Sequence, residues 1–253
     1  MKILITICGR AGSKGFKNKN LKDFLGYPLV DYTIAAAQLV KENNQEFEVD
    51  ICLNSDSPKL LKLGRRFSDV EVIKRPKELA QDTSPKILAI KYGVKEMEKK
   101  HNQEYDYVID LDITSPLRKV SDIEKALQKT MEKEAIDVVY SVVEARRNPY
   151  FNMVERNKGE IKQVKKTNFT RRQDAPKVYD MNASIYCYKR DSLLKKLKNS
   201  PFDGKSDIII MKDTAILDID SKNDFELMAK LADCFFNDYF KEIKDKVISF
   251  SKQ

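Results

Sequence analysis

The sequence has no run approaching the roughly 18 consecutive apolar residues that a membrane-spanning helix needs. Its N-terminal apolar stretch, KILITIC at 2–8, is one strand long and runs straight into a Gly-rich loop. A secretory signal needs a longer apolar region and a small-residue cleavage site, so the expected location is the cytoplasm. Glycine and proline are scarce, at 8 residues each. That excludes a collagen-like or low-complexity chain, and 42% hydrophobic residues exclude disorder. The four cysteines, Cys8, Cys52, Cys187 and Cys234, show no CxxC spacing, so neither a zinc knuckle nor a redox motif is present. Three of them lie in strand-like apolar runs, where a free thiol packs as a small hydrophobe. The one histidine, His101, sits in the charged segment EKKHNQEY. A His-based nucleophile triad is therefore disfavoured.

What remains is a chain of 253 residues, enough for one large domain with a buried core. The formal charge is +8, which suits nucleic acid, an anionic surface or a small anionic substrate. The excess is mostly lysine spread over helix faces, in short clusters such as Lys17–Lys19 and Lys241–Lys246 with other residues interleaved. No alternation of aromatic and basic residues marks a single-strand binder.

Periodicity predicts a strand at 2–8, a helix at 28–43, a strand at 48–54 and a helix at 58–67 capped by Ser57 with Pro58 at its first position. A strand at 69–73, a helix from Asp82 to Lys100, a strand at 105–112, a helix at 121–133 and a strand at 136–143 follow. This alternation predicts an α/β fold, a mostly parallel sheet covered by helices on both faces. Residues 144–180, rich in Arg, Lys, Asn and Pro, interrupt it with a hairpin-like piece, NMVERNKGEIKQV. They read as an inserted arm. A strand at 183–189, a short helix at 191–197, a strand at 207–211 and a terminal helix over 222–247 complete the chain.

Ligands of open parallel sheets bind beyond the carboxyl ends of the strands, and the polar motifs fall there. After the first strand comes Gly9-Arg10-Ala11-Gly12-Ser13-Lys14-Gly15, with Lys17, Lys19 and Asn20 beyond it. Glycines let backbone N–H groups close around phosphate oxygens, and the cations add charge. The spacing GxxGxxG matches neither a Walker A loop nor GxGxxG. An ordinary surface turn is the bland alternative, but the position after strand one favours an anion cradle. Asp218-Ile219-Asp220 is read at a strand end, where alternate residues share a face, and two carboxylates there suit Mg²⁺. Taken alone, the pair equally reads as solvated acids before a helix, with Asp220 as its cap. Asp110 and Asp112 also share a face, followed by Thr114-Ser115-Pro116-Leu117-Arg118, with Ser121 as the expected cap of the next helix. Arg75-Pro76 through Asp82-Thr83-Ser84, and Arg171-Arg172-Gln173 through Tyr179 to Asn182, are two further polar stretches.

In combination, these pieces resemble the cytidylyltransferases that activate nine-carbon acidic sugars, the CMP-sialic acid synthetase (acylneuraminate cytidylyltransferase) family. Ser55-Asp56, Leu79-Ala80, Pro176 and Ile185-Tyr186 add to the likeness, which runs in order from residue 3 to about 226. Within the family, IDLD before TSPLR, ARRNPYFNMVE and RRQDAPKVYDMNASIY resemble the branch that makes CMP-legionaminic acid. Sialic-type members usually carry Gln where Asp112 stands, which favours a differently substituted sugar.

The resemblance implies a Rossmann-like three-layer nucleotidyltransferase, one domain over 1–253 with the arm at about 144–180. It implies the reaction of CTP with a legionaminic-type acid to give a CMP-sugar and pyrophosphate, with Mg²⁺ as cofactor. Arg10, Ser13, Lys14, Lys19 and Asn20 would hold the triphosphate beside Cys8 and Gly9. Arg75, Asp82, Thr83 and Ser84 would face the nucleoside. Asp112, Thr114, Ser115, Arg172, Gln173, Tyr179 and Asn182 would surround the sugar, with Arg172 against its carboxylate. Asp218 and Asp220 would hold the metal. The family is typically homodimeric, with Arg146, Arg147 and Tyr150 of the arm reaching the neighbouring site. Sialic acid, pseudaminic acid and Kdo are the alternative substrates, and a basic nucleic-acid-binding protein is the alternative of another class.

Overall fold

A computed structural model describes residues 1–12, 15–169, 171–213 and 218–252. Strand β1 (Lys2–Gly9) is buried along nearly its whole length. Continuous rather than alternating burial means that both faces of the sheet are covered. A tight pairing of β2 (Asp23–Phe24) with β3 (Tyr27–Pro28) leads into α1 (Leu29–Asn43). Then come β4 (Glu48–Ser55), α2 (Pro58–Gly64), β5 (Val70–Lys74), α3 (Lys86–His101), β6 (Tyr107–Leu111), α4 (Val120–Glu132) and β7 (Val138–Glu144). The arm carries a small hairpin, β8 (Val154–Asn157) and β9 (Glu160–Gln163). Beyond it lie β10 (Tyr179–Lys189), a single wide turn at Ser192–Lys196, β11 (Ser206–Ile210), α5 (Lys222–Phe235) and α6 (Lys241–Ser249).

The central sheet has the order β11-β7-β10-β6-β1-β4-β5. β1 pairs in parallel with both β4 and β6, β4 with β5, and β7 with β11. Only β10 runs against its neighbours β6 and β7, so the expected mostly parallel α/β sheet is what forms. Helices α1, α4, α5 and α6 pack on one face, through residues such as Ile34, Ile123, Met228 and Ile243. Helix α3 covers the other face through Ile87, Ile90 and Val94. The chain moves outward from β1 to β4 and β5, then crosses back to β6. That reversal opens a crevice beside the carboxyl end of β1. Among the described residues, no helix is long and apolar enough to cross a membrane.

Several local expectations need correction. Helix α3 starts at Lys86 rather than at 82, because Pro85 disfavours a helical conformation at Ser84. That leaves 82–85 as a loop free to line a site. The terminal helix is two helices: Phe236 stacks on Tyr32 with ring centres 5.2 Å apart, and the chain turns before α6 packs back on α1. The apolar spacing of Phe236, Phe240, Ile243 and Val247 fits an unbroken helix, so periodicity alone hides this turn. Asp218-Ile219-Asp220 is outside the sheet, although the alternation survives, with Ile219 buried between two acids that are not. Ser221, not Asp220, caps α5, and its hydroxyl accepts from the Asp224 N–H at 3.1 Å. α4 begins at Val120, so Ser121 lies inside it; the Asp122 carboxylate accepts from the Lys119 N–H instead. Ser57 caps α2 as expected. Cys8, Cys52 and Cys187 are free and buried, and Cys234 is free and exposed.

Candidate active site

The loops after β1, β5 and β6 meet the segment 218–220 around one cavity of about 370 Å³. Of the expected residues, Cys8, Arg10, Lys19, Asn20, Arg75, Asp82, Ser84, Asp112, Thr114, Asp218 and Asp220 line it. Gly9 ends β1 beside them. Ser13 and Lys14 lie outside the described residues.

The loop after β1 is held at both ends. The Ala11 N–H donates to Asp56 Oδ1 at 2.8 Å, and Asn20 Nδ2 donates to the Arg10 carbonyl at 3.3 Å. Arg10 pairs with Asp82 across the cavity at 2.7 Å. Lys19 Nζ donates to the Ile219 carbonyl at 2.7 Å and to Asp220 Oδ1 at 2.8 Å, fastening the loop to the acidic segment. Arg75 is buried and donates to the side chain and carbonyl of Asn54, which fixes its guanidinium at the cavity wall. Cys8 is no nucleophile: burial pushes its thiol up to about 12.

Gly15 is where loop and acids come closest. A Cβ there would stand 2.5 Å from the Asp220 carbonyl oxygen. Gly15→Ala is expected to push the acidic segment away and lower turnover by on the order of tenfold or more, as small misplacements of reacting groups do. Thermal unfolding, measured alongside, should move little, because the clash is at the surface of the fold. Unchanged turnover would show that the loop and the acids do not act together.

The floor is built by the loop 112–118. Asp112 Oδ1 accepts from the Thr114 N–H at 3.2 Å and from its hydroxyl at 2.9 Å. Lys86 Nζ lies 2.6 Å from Asp112 Oδ2 and 2.8 Å from Asp110 Oδ2. Burial opposes ionisation of Asp112, but the Lys86 ammonium and the Thr114 bonds outweigh it and hold the carboxyl down to about 2. The segment 218–220 is tied to the same loop, as the Ile219 N–H donates to the Thr114 carbonyl at 3.1 Å. Burial, with the Asp112 charge nearby, raises the Asp218 carboxyl above its ordinary value.

Other expected sugar residues go elsewhere. Ser115 and Asn182 are buried in the scaffold: the Ser115 hydroxyl donates to the Asn182 carbonyl, and Ser141 donates to Asn182 Oδ1. Arg172, Gln173 and Tyr179 line a separate cavity of about 380 Å³ at the base of the arm. There Arg172 donates to the Ala145 carbonyl at 3.0 Å. Thr83 is exposed beside the first cavity. Phe16, Gln81 and Lys86 line the first cavity without having been anticipated. Lys86 had one available signal, its place directly after the Asp82–Pro85 loop.

The donors fit a magnesium ion. Asp218 Oδ1 is buried and has no hydrogen-bond partner among the described residues, which is costly unless something binds it. No cluster of three metal-ligating side chains occurs among the described residues. Mg²⁺ is commonly held by one or two carboxylates plus substrate phosphates, so Asp218 and Asp220 suffice.

A cytidylyltransferase family model matches residues 4–245. Post-translational flagellin modification protein B of Campylobacter coli is 38% identical over 89% of this chain and 93% of the relative. CMP-N,N'-diacetyllegionaminic acid synthase of Campylobacter jejuni is 37% identical over the same shares, 89% and 93%. The solved structure of CMP:2-keto-3-deoxy-manno-octonic acid synthetase complexed with CTP superposes with a TM-score of 0.66, covering 92% of this chain and 99% of that one, at 17% identity. That last likeness is one of fold.

Proposed function

The chain belongs to the cytidylyltransferase family, and from that premise we propose that it joins CTP to a nine-carbon acidic sugar of legionaminic type, giving the CMP-sugar and pyrophosphate. The observation that carries this reading is the meeting of three strand-end loops and a two-carboxylate segment on one cavity. The synthase of Campylobacter jejuni, at 37% identity, supports the choice of sugar.

The anomeric hydroxyl of the sugar attacks the α-phosphorus directly. A bond forms from that oxygen to phosphorus, the bond from the α-phosphorus to the oxygen bridging to the β-phosphate breaks, and the hydroxyl proton is released. No protein nucleophile is needed. Arg10 and Lys19, with Lys14 and Ser13 of the same loop, bind the β- and γ-phosphates and stabilise charge on the leaving pyrophosphate, the dominant contribution in such transfers. Arg75 and the 82–84 loop bind the nucleoside. Asp112 and Thr114 face the sugar. Asp218 and Asp220 hold Mg²⁺, which when bound supplies charge neutralisation at the phosphate and acidifies the attacking hydroxyl. On the same reading the enzyme works in the cytoplasm, where its unpaired thiols stay reduced.

Arg172, Gln173 and Tyr179 then belong to a site completed by a second copy. The arm's exposed apolar side chains, Phe151, Met153, Val154, Ile161 and Val164, support a homodimer. Specific activity is expected to fall on dilution below the dimer's dissociation constant. A folded monomer with full activity would refute the arm's role.

The test of the reaction is pyrophosphate release with CTP and Mg²⁺ over legionaminic, sialic and pseudaminic acids and Kdo. Selective turnover of legionaminic acid is the expected result. Preference for another acid would correct the sugar. Silence, in a folded sample that binds no CTP, would refute the reaction.

A further inference from the structure

Lys86 belongs to none of the motifs that mark the site, yet it lines the cavity. Its Nζ bridges Asp110 Oδ2 at 2.8 Å and Asp112 Oδ2 at 2.6 Å, and lies 5.9 Å from the centre of the Tyr186 ring. The two acids differ in what they can reach. Asp110 is fully buried, and its other oxygen accepts from the Thr6 hydroxyl at 2.8 Å. Asp112 lines the cavity. Its two oxygens are steered by Lys86 on one side and Thr114 on the other. A carboxylate has about four acceptor sites, so these bonds orient it and still leave capacity towards the cavity.

Without Lys86, Asp110 and Asp112 would stand as like charges on one strand face, with Asp218 close enough to feel Asp112. One of them would rotate away or take up a proton. A protonated carboxyl donates as well as accepts, and would no longer distinguish a donor from an acceptor on the ligand.

We propose that Lys86 is a positioning residue that sets sugar specificity: it locks Asp112 as a charged acceptor for an N–H or O–H donor of the acceptor sugar, so that the two residues select the sugar as a unit. The proposal rests on the reaction assigned above. A site built to accept a hydrogen bond rejects an analogue lacking the donor far more strongly than an apolar pocket rejects a change of size.

The measurement is kcat/KM of the full-length enzyme for its best acid and for the next best in the panel above, with KM for CTP and thermal unfolding alongside. Lys86→Met is expected to lower kcat/KM for the best acid by on the order of tenfold or more, mainly through the sugar KM, with KM for CTP within about threefold. The ratio between the two acids should contract. Lys86→Arg, which keeps the charge and donors, should restore most of that ratio. Asp112→Asn should contract it similarly, and Lys86→Met with Asp112→Asn should contract it no further, as for residues acting as one unit. If Lys86→Met does not fold, Lys86→Gln carries the same test. A folded variant whose ratio is unchanged while kcat or stability falls would make Lys86 merely structural and overturn the inference alone. A folded wild type that binds no CTP and turns over no acid of the panel overturns the assigned reaction, and the inference with it.

Discussion

Replacing Asp218 and Asp220 together by Asn is expected to lower turnover by roughly two to three orders of magnitude or more, while CTP affinity changes by only about threefold. The asymmetry follows from where charge appears. On the proposed reading, binding of CTP would be shared among Arg10, Lys19, Arg75 and the loop backbone, so loss of two carboxylates would remove little of it. The negative charge that would develop on phosphate oxygens during transfer is different, because a metal held there would act mostly in the transition state. The substitution should not unfold the chain. Asp220 is exposed and gives up one ion pair, to Lys19, and Asp218 Oδ1 has no hydrogen bond to lose among the described residues. Direct titration with Mn²⁺ should show that binding is lost in the variant. Turnover within about tenfold of wild type would sink the metal assignment, since metal contributions of several kcal/mol cannot vanish so cheaply.

The same residues show what could be read before the fold was seen. Strand and helix order was legible because apolar periodicity records burial, and burial is what the sheet imposes. The loop after β1 was legible as a candidate anion cradle because glycine and cation chemistry is local. The partners of the cations were not. Arg10 meets Asp82 and Lys19 meets Asp220 across wide separations in sequence, and only the crossover topology brings them together. Lys86 was hidden for a related reason: a lysine after a proline looks solvated until two acids from another strand stand under it. Asn182 and Ser115 enter the expected sugar site through the family resemblance, and the structure buries both in the scaffold, where polar residues satisfy buried backbone. Here they stitch the loop after β6 to an irregularity in β10. That irregularity falls between Met181 and Tyr186, with Ala183 in a left-handed conformation.

Arg118→Met is expected to destabilise the fold by about 3–5 kcal/mol, the usual result of removing one partner from a buried charged network. For a chain of this size that corresponds to a fall in Tm on the order of 10 °C. Arg118 is fully buried, and among the described residues its guanidinium donates to backbone carbonyls alone: to Ser115 from Nε at 3.0 Å, to Ser184 at 2.9 Å, and to Asp112. Burial lowers its pKa to about 10, against the pull of Asp112, Asp110 and Asp218, so it stays charged at neutral pH. It thus satisfies the carbonyls of a loop and a strand irregularity that cannot pair with each other, and it offsets three nearby carboxylates. Methionine fills the volume and supplies neither. Lysine carries the charge but lacks the planar fork that reaches three carbonyls at once, so Arg118→Lys should recover less than half of the lost stability. Catalysis should suffer before folding does. The loop that Arg118 holds carries Asp112 and Thr114, and through the bond from Ile219 to Thr114 it also sets the height of Asp218. Well below the lowered Tm, the variant should therefore show a raised sugar KM together with a reduced kcat. Wild-type kinetics at that temperature would mean that the loop keeps its shape without its buried cation.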